Sequence, residues 1–282
     1  MSAVILSGIT TRELLIPSLV ERIGKLAYVP MLAIIQVGNR ADSTAFIKGK
    51  KAFAAKIGIK EIHVQLPESV SQEVLMRQIT AFNTDDSIHG IILQLPLPVH
   101  IDRDTAMNAI DPRKDVDALT SYNIERWTKG GSEALFPATA RGIRELLSVH
   151  KVGLKGMNVC VVGRSALVGT PIAAMCRNEG ARVTVCHSKT PDVAHETRLA
   201  DIVIVAIGRP RFIRADHVRM GQTIIDVGIS KDAEGKLVGD VNFDAVKDIV
   251  SAITPVPGGV GPMTVLGIFE NMIDLCEAQN RI

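Results

Sequence analysis

The chain has 282 residues, which is longer than a single domain usually is. Hydrophobic residues make up 46% of it, which is enough to bury a substantial core. Its formal net charge is +2 and aromatic residues make up only 4%, which disfavours a nucleic-acid surface, because such a surface needs a clustered basic face or stacking rings. No apolar stretch reaches the roughly 20 residues of a membrane span, and the N-terminus lacks the basic region of a signal peptide, so we expect a soluble intracellular protein.

The first half of the chain alternates strand and helix patterns. Thr10-x-x-Glu13 resembles a capping box, but Pro17 falls inside the helix it would start, so we expect a kink or a late start near Pro17. The elements that follow are a strand over Met31–Val37, a helix over Ser43–Ile57 ended by Gly58, a strand over Glu61–Gln65, a helix over Ser71–Asn83 capped by its serine, and a strand over Gly90–Gln94. This order predicts a mostly parallel sheet covered by helices.

The pattern restarts after Thr139, beyond the polar stretch Lys129–Glu133. The predicted elements are strands over Asn158–Val162, Arg182–Cys186, Asp201–Ile207 and Gln222–Val227, and helices over Thr170–Asn178 and Met263–Ala278. We therefore predict two α/β domains with the active site in the cleft between them. The first spans residues 1–139, with the C-terminal helix (263–282) packing back on it, and the second, of Rossmann type, spans residues 140–262.

Four cysteines occur, and none forms a C-x-x-C pair. Cys160, Cys176, Cys186 and Cys276 are expected to be buried free thiols in a reducing compartment, and no metal site is indicated.

The turn after the first strand of the second half, Gly163 to Pro171, is typical of a dinucleotide site. Glycine lets the backbone approach a pyrophosphate, and the following helix offers free N–H groups. The spacing is not G-x-G-x-x-G, so the turn alone fits an ordinary strand-to-helix connection about as well. Its place among repeated βα units favours the cofactor interpretation.

The next strand ends in His187-Ser188-Lys189-Thr190, where an NAD site usually places a carboxylate. Hydroxyl and ammonium groups here, with Arg164, favour the 2′-phosphate of NADP. A solvated polar loop is the alternative. The strand ends Gly208-Arg209-Pro210 and Asp226–Ile229 would border the nicotinamide half, although loop geometry alone also explains their glycines.

Three features of the first half suggest chemistry. Lys48, Lys50 and Lys51 lie on an apolar helix pattern, Gln94 ends an apolar strand, and two carboxylates occur in Lys114-Asp115-Val116-Asp117. Each alone has a plain structural explanation: surface lysines, a strand-terminating glutamine and a solvated acidic turn.

Together with the run Thr254–Thr264 (TPVPGGVGPMT), these features carry a resemblance. From end to end, the sequence resembles the bifunctional methylenetetrahydrofolate dehydrogenase/methenyltetrahydrofolate cyclohydrolase family. The most specific segments are Gln94–Pro98, Lys114–Asp117, Gly163–Ser165 with Val168 and Gly169, and Thr254–Thr264.

The resemblance implies roles for individual residues. Lys50 would be the catalytic lysine, Gln94 its hydrogen-bond partner and Asp117 the carboxylate that binds the pterin ring. The other implied contacts are Phe46, Leu95, Gly261 and Pro262 for the folate, and Gly163, Arg164, Ser165, Val168, Gly169, Ser188 and Ile229 for NADP, with Arg164 and Ser188 on its 2′-phosphate. The family also implies a homodimer joined through the cofactor domains. With the composition, we expect a cytoplasmic protein with no metal, nucleic acid or membrane as partner.

The implied chemistry is oxidation of 5,10-methylenetetrahydrofolate followed by hydrolysis of the methenyl product. Positioning carries the hydride step, whereas the hydrolysis needs a partly neutral lysine, so we predict a lowered pKa for Lys50. The sequence departs from the family pattern at Phe46, where a tyrosine is usual, at Ala118 (usually glycine) and in Pro137–Ala140 (usually P-C-T-P). Two alternatives stay open: a dehydrogenase whose cyclohydrolase step is weakened by Phe46, and a catalytically silent NADP-binding module.

Overall fold

The computed structural model describes residues 2–130 and 134–279. Residues 131–133, within the stretch predicted to precede the domain boundary, and 280–282, the end of the predicted C-terminal helix, lie outside the described residues. The chain divides into two compact units. We call them the six-stranded unit (Met1–Leu14, Trp127–Glu133 and Thr139–Leu266) and the three-stranded unit (Leu15–Arg126, Ala134–Ala138 and Gly267–Ile282).

Strands and helices alternate along most of the described chain, as predicted. The strands are β1 (Val4–Ile5), β2 (Met31–Val37), β3 (Lys60–Leu66), β4 (Gly90–Gln94), β5 (Asn158–Val162), β6 (Arg182–Cys186), β7 (Ile202–Val205), β8 (Thr223–Asp226), β9 (Ser230–Lys231), β10 (Leu237–Val238) and β11 (Ala252–Ile253). The helices are α1 (Gly8–Gly24), α2 (Ala41–Ile57), α3 (Gln72–Thr84), α4 (Arg103–Asn108), α5 (Ser121–Lys129), α6 (Ala138–Val149), α7 (Gly169–Asn178), α8 (Val193–Leu199), α9 (Phe243–Val246) and α10 (Val260–Gln279). The two-domain α/β prediction is confirmed.

The three-stranded unit is built on a parallel sheet in the order β3-β2-β4. Strands β2 and β4 are buried almost throughout, which explains why they read as continuous apolar runs rather than alternating ones. Gln36 of β2 pairs in register with Gln65 of β3 and Gln94 of β4. Three glutamines therefore mark the carboxyl ends of the three strands.

Local signals fix the helices of this unit. Gly58 ends α2 with φ 81°, a left-handed conformation that glycine adopts without strain. The Ser71 side chain accepts a hydrogen bond from the backbone N–H of Val74 at the start of α3. Both predicted signals are confirmed, and α2 begins at Ala41, two residues before the predicted start.

The six-stranded unit holds a sheet in the order β1-β11-β8-β7-β5-β6. All of its strand pairs are parallel. From β5 the chain passes to β6 on one side and then to β7 on the other side of β5. This reversal of strand order creates a crevice at the carboxyl ends of β5 and β7, where open α/β sheets bind ligands.

The N-terminal segment differs from its prediction. Met1–Leu14 belongs to the six-stranded unit, because β1 pairs with β11, whereas we placed it in the first domain. Helix α1 begins at Gly8 and continues through Pro17, so the late start was wrong. Its first turn is capped by Ser7, whose hydroxyl accepts from the Thr10 N–H at 3.2 Å, and not by Thr10.

The last helix also begins earlier than predicted. Because α10 starts at Val260, Gly261 and Pro262 lie in its first turn and not in the preceding loop. Proline suits that turn, where its missing N–H costs nothing. From Gly267 onward the helix belongs to the three-stranded unit, in which Phe269 packs against Phe53 with ring centroids 5.4 Å apart.

All four cysteines are buried and free, as expected. Within residues 2–130 and 134–279, no helix is both long and apolar enough to cross a membrane.

Candidate active site

Helix α2 and strand β4 bring Lys50 and Gln94 together. The Lys50 Nζ donates to Gln94 Oε1 at 3.0 Å, and Gln94 Nε2 donates to the Leu95 carbonyl at 2.8 Å. The second bond orients the amide so that its oxygen faces the amine. Lys50 is only 8% exposed. The structure therefore pairs a buried amine with a neutral acceptor.

The three lysines of α2 have different environments. Lys48 is exposed, and Lys51 forms an ion pair with Glu61 on β3 at 3.0 Å. Only Lys50 is directed into the unit, because its position falls on the apolar face of the helix with Ile47 and Ala54.

The Lys114–Asp117 segment divides into structural and candidate site residues. Lys114 Nζ donates to the carbonyls of Phe82, Asn83 and Asp85 at the end of α3. Asp115 is fully buried, and its Oδ2 accepts from the Thr120 N–H and the Asn123 side chain. Asp117 is half-buried and is the member of the segment whose charge acts on Lys50.

Burial dominates the electrostatics of this pair. It lowers the pKa of the Lys50 ammonium, and the negative charge of Asp117 opposes part of that shift. Burial also raises the pKa of Asp117, against the attraction of Lys50. The direction for Lys50 is the predicted one, and its physical cause is desolvation of the charged form.

Two further predicted substrate residues flank this pair. Phe46 lies one helical turn before Lys50 and is 47% exposed. Leu95 is half-buried and packs against the core of the unit, and its carbonyl orients Gln94. Leu95 therefore acts on the Lys50–Gln94 pair through its backbone carbonyl, and its side chain packs in the core.

Gln36 is a buried polar residue that the sequence interpretation missed. It is 1% exposed, its Nε2 donates to Thr44 Oγ1 on α2, and its Oε1 lies 3.0 Å from His63 Nε2. The missed signal was a glutamine near the end of an apolar strand, the same signal that identified Gln94.

In the six-stranded unit, a cavity of about 440 Å³ opens at the predicted crevice. Its lining comes from the segments after β5, β6 and β7: Val162, Gly163, Arg164, Ser165, His187, Ser188, Thr190, Val193, Ala206, Ile207, Arg209 and Phe212. Among the described residues, no carboxylate contributes to this lining. The two lining arginines, Arg164 and Arg209, give the cavity a positive charge that suits an anionic ligand.

Two glycines shape the floor of the cavity. A Cβ on Gly163, whose φ is 126°, would lie 2.2 Å from the Ala206 carbonyl oxygen, and a Cβ on Gly169 would lie 2.3 Å from that of Gly163. Only glycine fits either position. The Gly169 N–H donates to Ser165 Oγ at 3.3 Å, which links the turn to the start of α7. These contacts hold the turn backbone at the amino end of a helix, as anion sites require.

The remaining predicted cofactor residues are distributed around this floor. Arg164 and Ser188 are exposed and line the cavity, whereas Lys189 lies outside the lining residues. Val168, at the start of α7, and Ile229, 45% exposed after β8, also lie outside it. A Cβ on Gly261 would lie 3.9 Å from Ile229 Cδ1, so these two predicted residues are neighbours.

A pair of buried carboxylates supports the strand ends beside the cavity, and sequence reasoning missed this role. Asp240 Oδ2 accepts from the N–H groups of Ile207 and Gly208. Asp226 accepts from the N–H groups of Gly228, Asp240 and Val241. Burial raises the pKa of Asp226 to about 7, although the N–H donors oppose that shift. The sequence signal for this role was Gly239-Asp240, a glycine followed by a carboxylate before an apolar residue.

Comparison with known proteins covers nearly the whole chain. The model of the tetrahydrofolate dehydrogenase/cyclohydrolase catalytic domain matches residues 8–117, and that of the NAD(P)-binding domain of the same family matches residues 137–280. The bifunctional protein FolD of Bacillus cytotoxicus is 41% identical over 277 residues, which are 97% of this chain and 96% of that protein.

Solved structures agree in fold over their full length. The bifunctional FolD methylenetetrahydrofolate dehydrogenase/cyclohydrolase of Campylobacter jejuni has a TM-score of 0.96 at 38% identity, with 100% of both chains covered. The Trypanosoma brucei dehydrogenase-cyclohydrolase, complexed with NADP cofactor and inhibitor, has a TM-score of 0.93 at 36% identity, also with 100% of both chains covered. The chain therefore belongs to the tetrahydrofolate dehydrogenase/cyclohydrolase family.

Proposed function

We propose that the protein oxidises 5,10-methylenetetrahydrofolate with NADP⁺ and hydrolyses the resulting methenyl compound to 10-formyltetrahydrofolate. Membership of the family supports both activities. The observation that carries the proposal is the buried Lys50 amine, held 3.0 Å from the neutral oxygen of Gln94. A general base of this kind is what the hydrolytic step requires.

Lys50 acts as the base of the cyclohydrolase step. Its lowered pKa increases the neutral fraction near pH 7, so the amine can take a proton from water and return it to the folate nitrogen. Gln94 orients the amine without raising its pKa as a carboxylate in its place would. Asp117 binds the amino group and ring N–H of the pterin.

The cavity of the six-stranded unit fits NADP⁺. Gly163 and Ser165 hold the pyrophosphate at the start of α7, and Arg164 and Ser188 hold the 2′-phosphate, in a lining free of carboxylates among the described residues. When bound, NADP⁺ accepts the hydride of the dehydrogenase step. Val168, Gly169 and Ile229 complete the cofactor surroundings.

The Lys50→Met variant tests the catalytic assignment. We expect its cyclohydrolase rate to fall by about 100-fold or more, because the general base is lost, while NADPH formation persists. In the wild type, cyclohydrolase activity should fall as pH is lowered and Lys50 becomes protonated, and this dependence should be absent in the variant. Lys48→Met, an exposed neighbour on the same helix, is the control.

The assay follows NADPH and methenyltetrahydrofolate together after addition of 5,10-methylenetetrahydrofolate with either NADP⁺ or NAD⁺. NADPH formation with accumulating methenyl product would favour the alternative of a dehydrogenase whose second step is weak at Phe46. Cofactor binding without NADPH formation would favour a silent NADP-binding module. An unchanged pH profile in Lys50→Met would reject the assigned base.

We also propose a cytoplasmic homodimer. The four buried free thiols support a reducing compartment. Strand β6 ends the six-stranded sheet and, among the described residues, has a strand neighbour on one side only, which leaves an edge for a second copy. Sedimentation equilibrium of the full chain should give twice the monomer mass.

A further inference from the structure

Arg209 lies at the cavity of the six-stranded unit without a role in the proposed chemistry. It is exposed, follows β7 and lines the cavity opposite the residues that follow β6. Its guanidinium carbon lies 4.9 Å from the centroid of the Phe212 ring. We propose that Arg209, supported by Phe212, forms the stacking face for the adenine ring of the cofactor, an inference that rests on the proposed NADP function.

The covalent structure of NADP⁺ limits where the adenine can lie. One ribose carries both the 2′-phosphate and the adenine, so the ring must lie within a sugar's length of the groups that bind the phosphate. If Arg164 and Ser188 hold that phosphate, the adenine enters the same cavity. The side chains of Val193, Ile207 and Phe212 form its apolar surface.

Phe212 is held in place from a second side. The ring of His217 meets its ring edge-on, with centroids 5.5 Å apart. The aromatic ring that contacts the Arg209 guanidinium is therefore itself held by a second ring.

The chemistry of the guanidinium suits a purine. It is planar, weakly hydrated and stacks on aromatic faces, and Phe212 covers one side of it. In the part of the chain that the structure describes, no carboxylate lines the cavity to draw the guanidinium away. Stacking is indifferent to the 2′-phosphate, so Arg209 should contribute equally to NADP and NAD binding.

Titration of cofactor fluorescence tests this assignment. NADPH and NADH dissociation constants are measured for the wild type and for Arg209→Ala, Arg209→Lys, Arg164→Ala and Arg177→Ala, the last an exposed arginine on α7 outside the cavity lining. We expect Arg209→Ala to weaken both cofactors by about tenfold with the NADPH/NADH ratio unchanged. Arg209→Lys should stay weak, because it keeps the charge and lacks the plane. Arg164→Ala should change the NADPH/NADH ratio, and Arg177→Ala should change neither dissociation constant.

Three outcomes would overturn the inference. These are unchanged binding in Arg209→Ala, loss of NADPH binding alone, and full recovery in Arg209→Lys, since the last two would assign the residue to phosphate charge. Thermal unfolding of each variant confirms that the fold is intact. A wild type that binds neither NADPH nor NADH would instead reject the proposed function, so the two failures are distinguishable.

Discussion

Position 46 carries a phenyl ring where the family resemblance predicts a tyrosine. The Phe46 ring is 47% exposed and lies one helical turn before Lys50. Because residues four apart are neighbours on a helix surface, a hydroxyl added to this ring would lie on the same side of α2 as Lys50. We expect Phe46→Tyr to raise the ratio of cyclohydrolase to dehydrogenase activity by about threefold to tenfold, the worth of one hydrogen bond to the amine. Parallel rate measurements of the two steps give the ratio.

Phe46→Leu is the matched control, because it changes the side chain without adding a hydroxyl. Its ratio should not rise above that of the wild type. Equal ratios in the wild type and Phe46→Tyr would mean that the missing hydroxyl does not limit the hydrolytic step.

Among the elements, helix α6 is followed by a residue in an unfavourable conformation. Lys151 has φ 56°, and the N–H groups of Lys151 and Val152 donate to the carbonyls of Ser148 and Leu147 in a Schellman motif. Glycine adopts this conformation without strain. We expect Lys151→Gly to raise the free energy of unfolding by about 0.5–1 kcal/mol in urea titrations. Lys151→Ala, which keeps the strain, should bring no such gain.

Hydrogen bonds of Asp240 link the segment that follows β7 to the last residue of β8. Its Oδ2 accepts two backbone N–H groups beside the cavity, and its own N–H donates to Asp226. We expect Asp240→Ala to lower the free energy of unfolding by about 1–3 kcal/mol, because buried donors lose their acceptor, and to weaken NADPH binding. Asp240→Asn retains one oxygen for both bonds and should lie closer to the wild type. If alanine and asparagine behaved alike, the carboxylate would not be supporting these segments.

Across the whole molecule, contacts between distant parts of the sequence hold each unit together. In the three-stranded unit, Arg22 of α1 donates to Asp274 at 2.6 Å and to both carboxylate oxygens of Glu277 on α10. We expect Arg22→Ala to reduce the free energy of unfolding by about 1–2 kcal/mol, because the ion pairs of Arg22 with Asp274 and Glu277 are partly shielded from water. Lys25→Ala breaks only an exposed pair with Glu21, so its loss should stay below about 0.5 kcal/mol.

Elements with a strong local pattern were predictable from sequence. Strands β2, β4, β5 and β6 have the predicted bounds, because an apolar run bounded by turn residues is a property of neighbouring positions. Gly58 and Ser71 likewise act within a few residues of themselves. The order of these elements was enough to predict two α/β domains.

Pairings between distant residues were decided by the tertiary structure alone. β1 joins β11 across nearly the whole sequence, which moves Met1–Leu14 into the other unit from the predicted one. Strand pairing depends on which surfaces bury each other, and no local pattern records that.

The candidate site divides in the same way. The sequence by itself determined the residue types: a lysine, a glutamine and an aspartate in the first half, and a glycine turn with arginine and serine in the second. The family resemblance had already singled out Lys50 among three neighbouring lysines. Only the tertiary structure paired it with Gln94, assigned Lys114 and Asp115 to structural bonds, and added Gln36 and Asp240. Burial and desolvation, which set the pKa of Lys50, arise only when distant segments enclose a side chain.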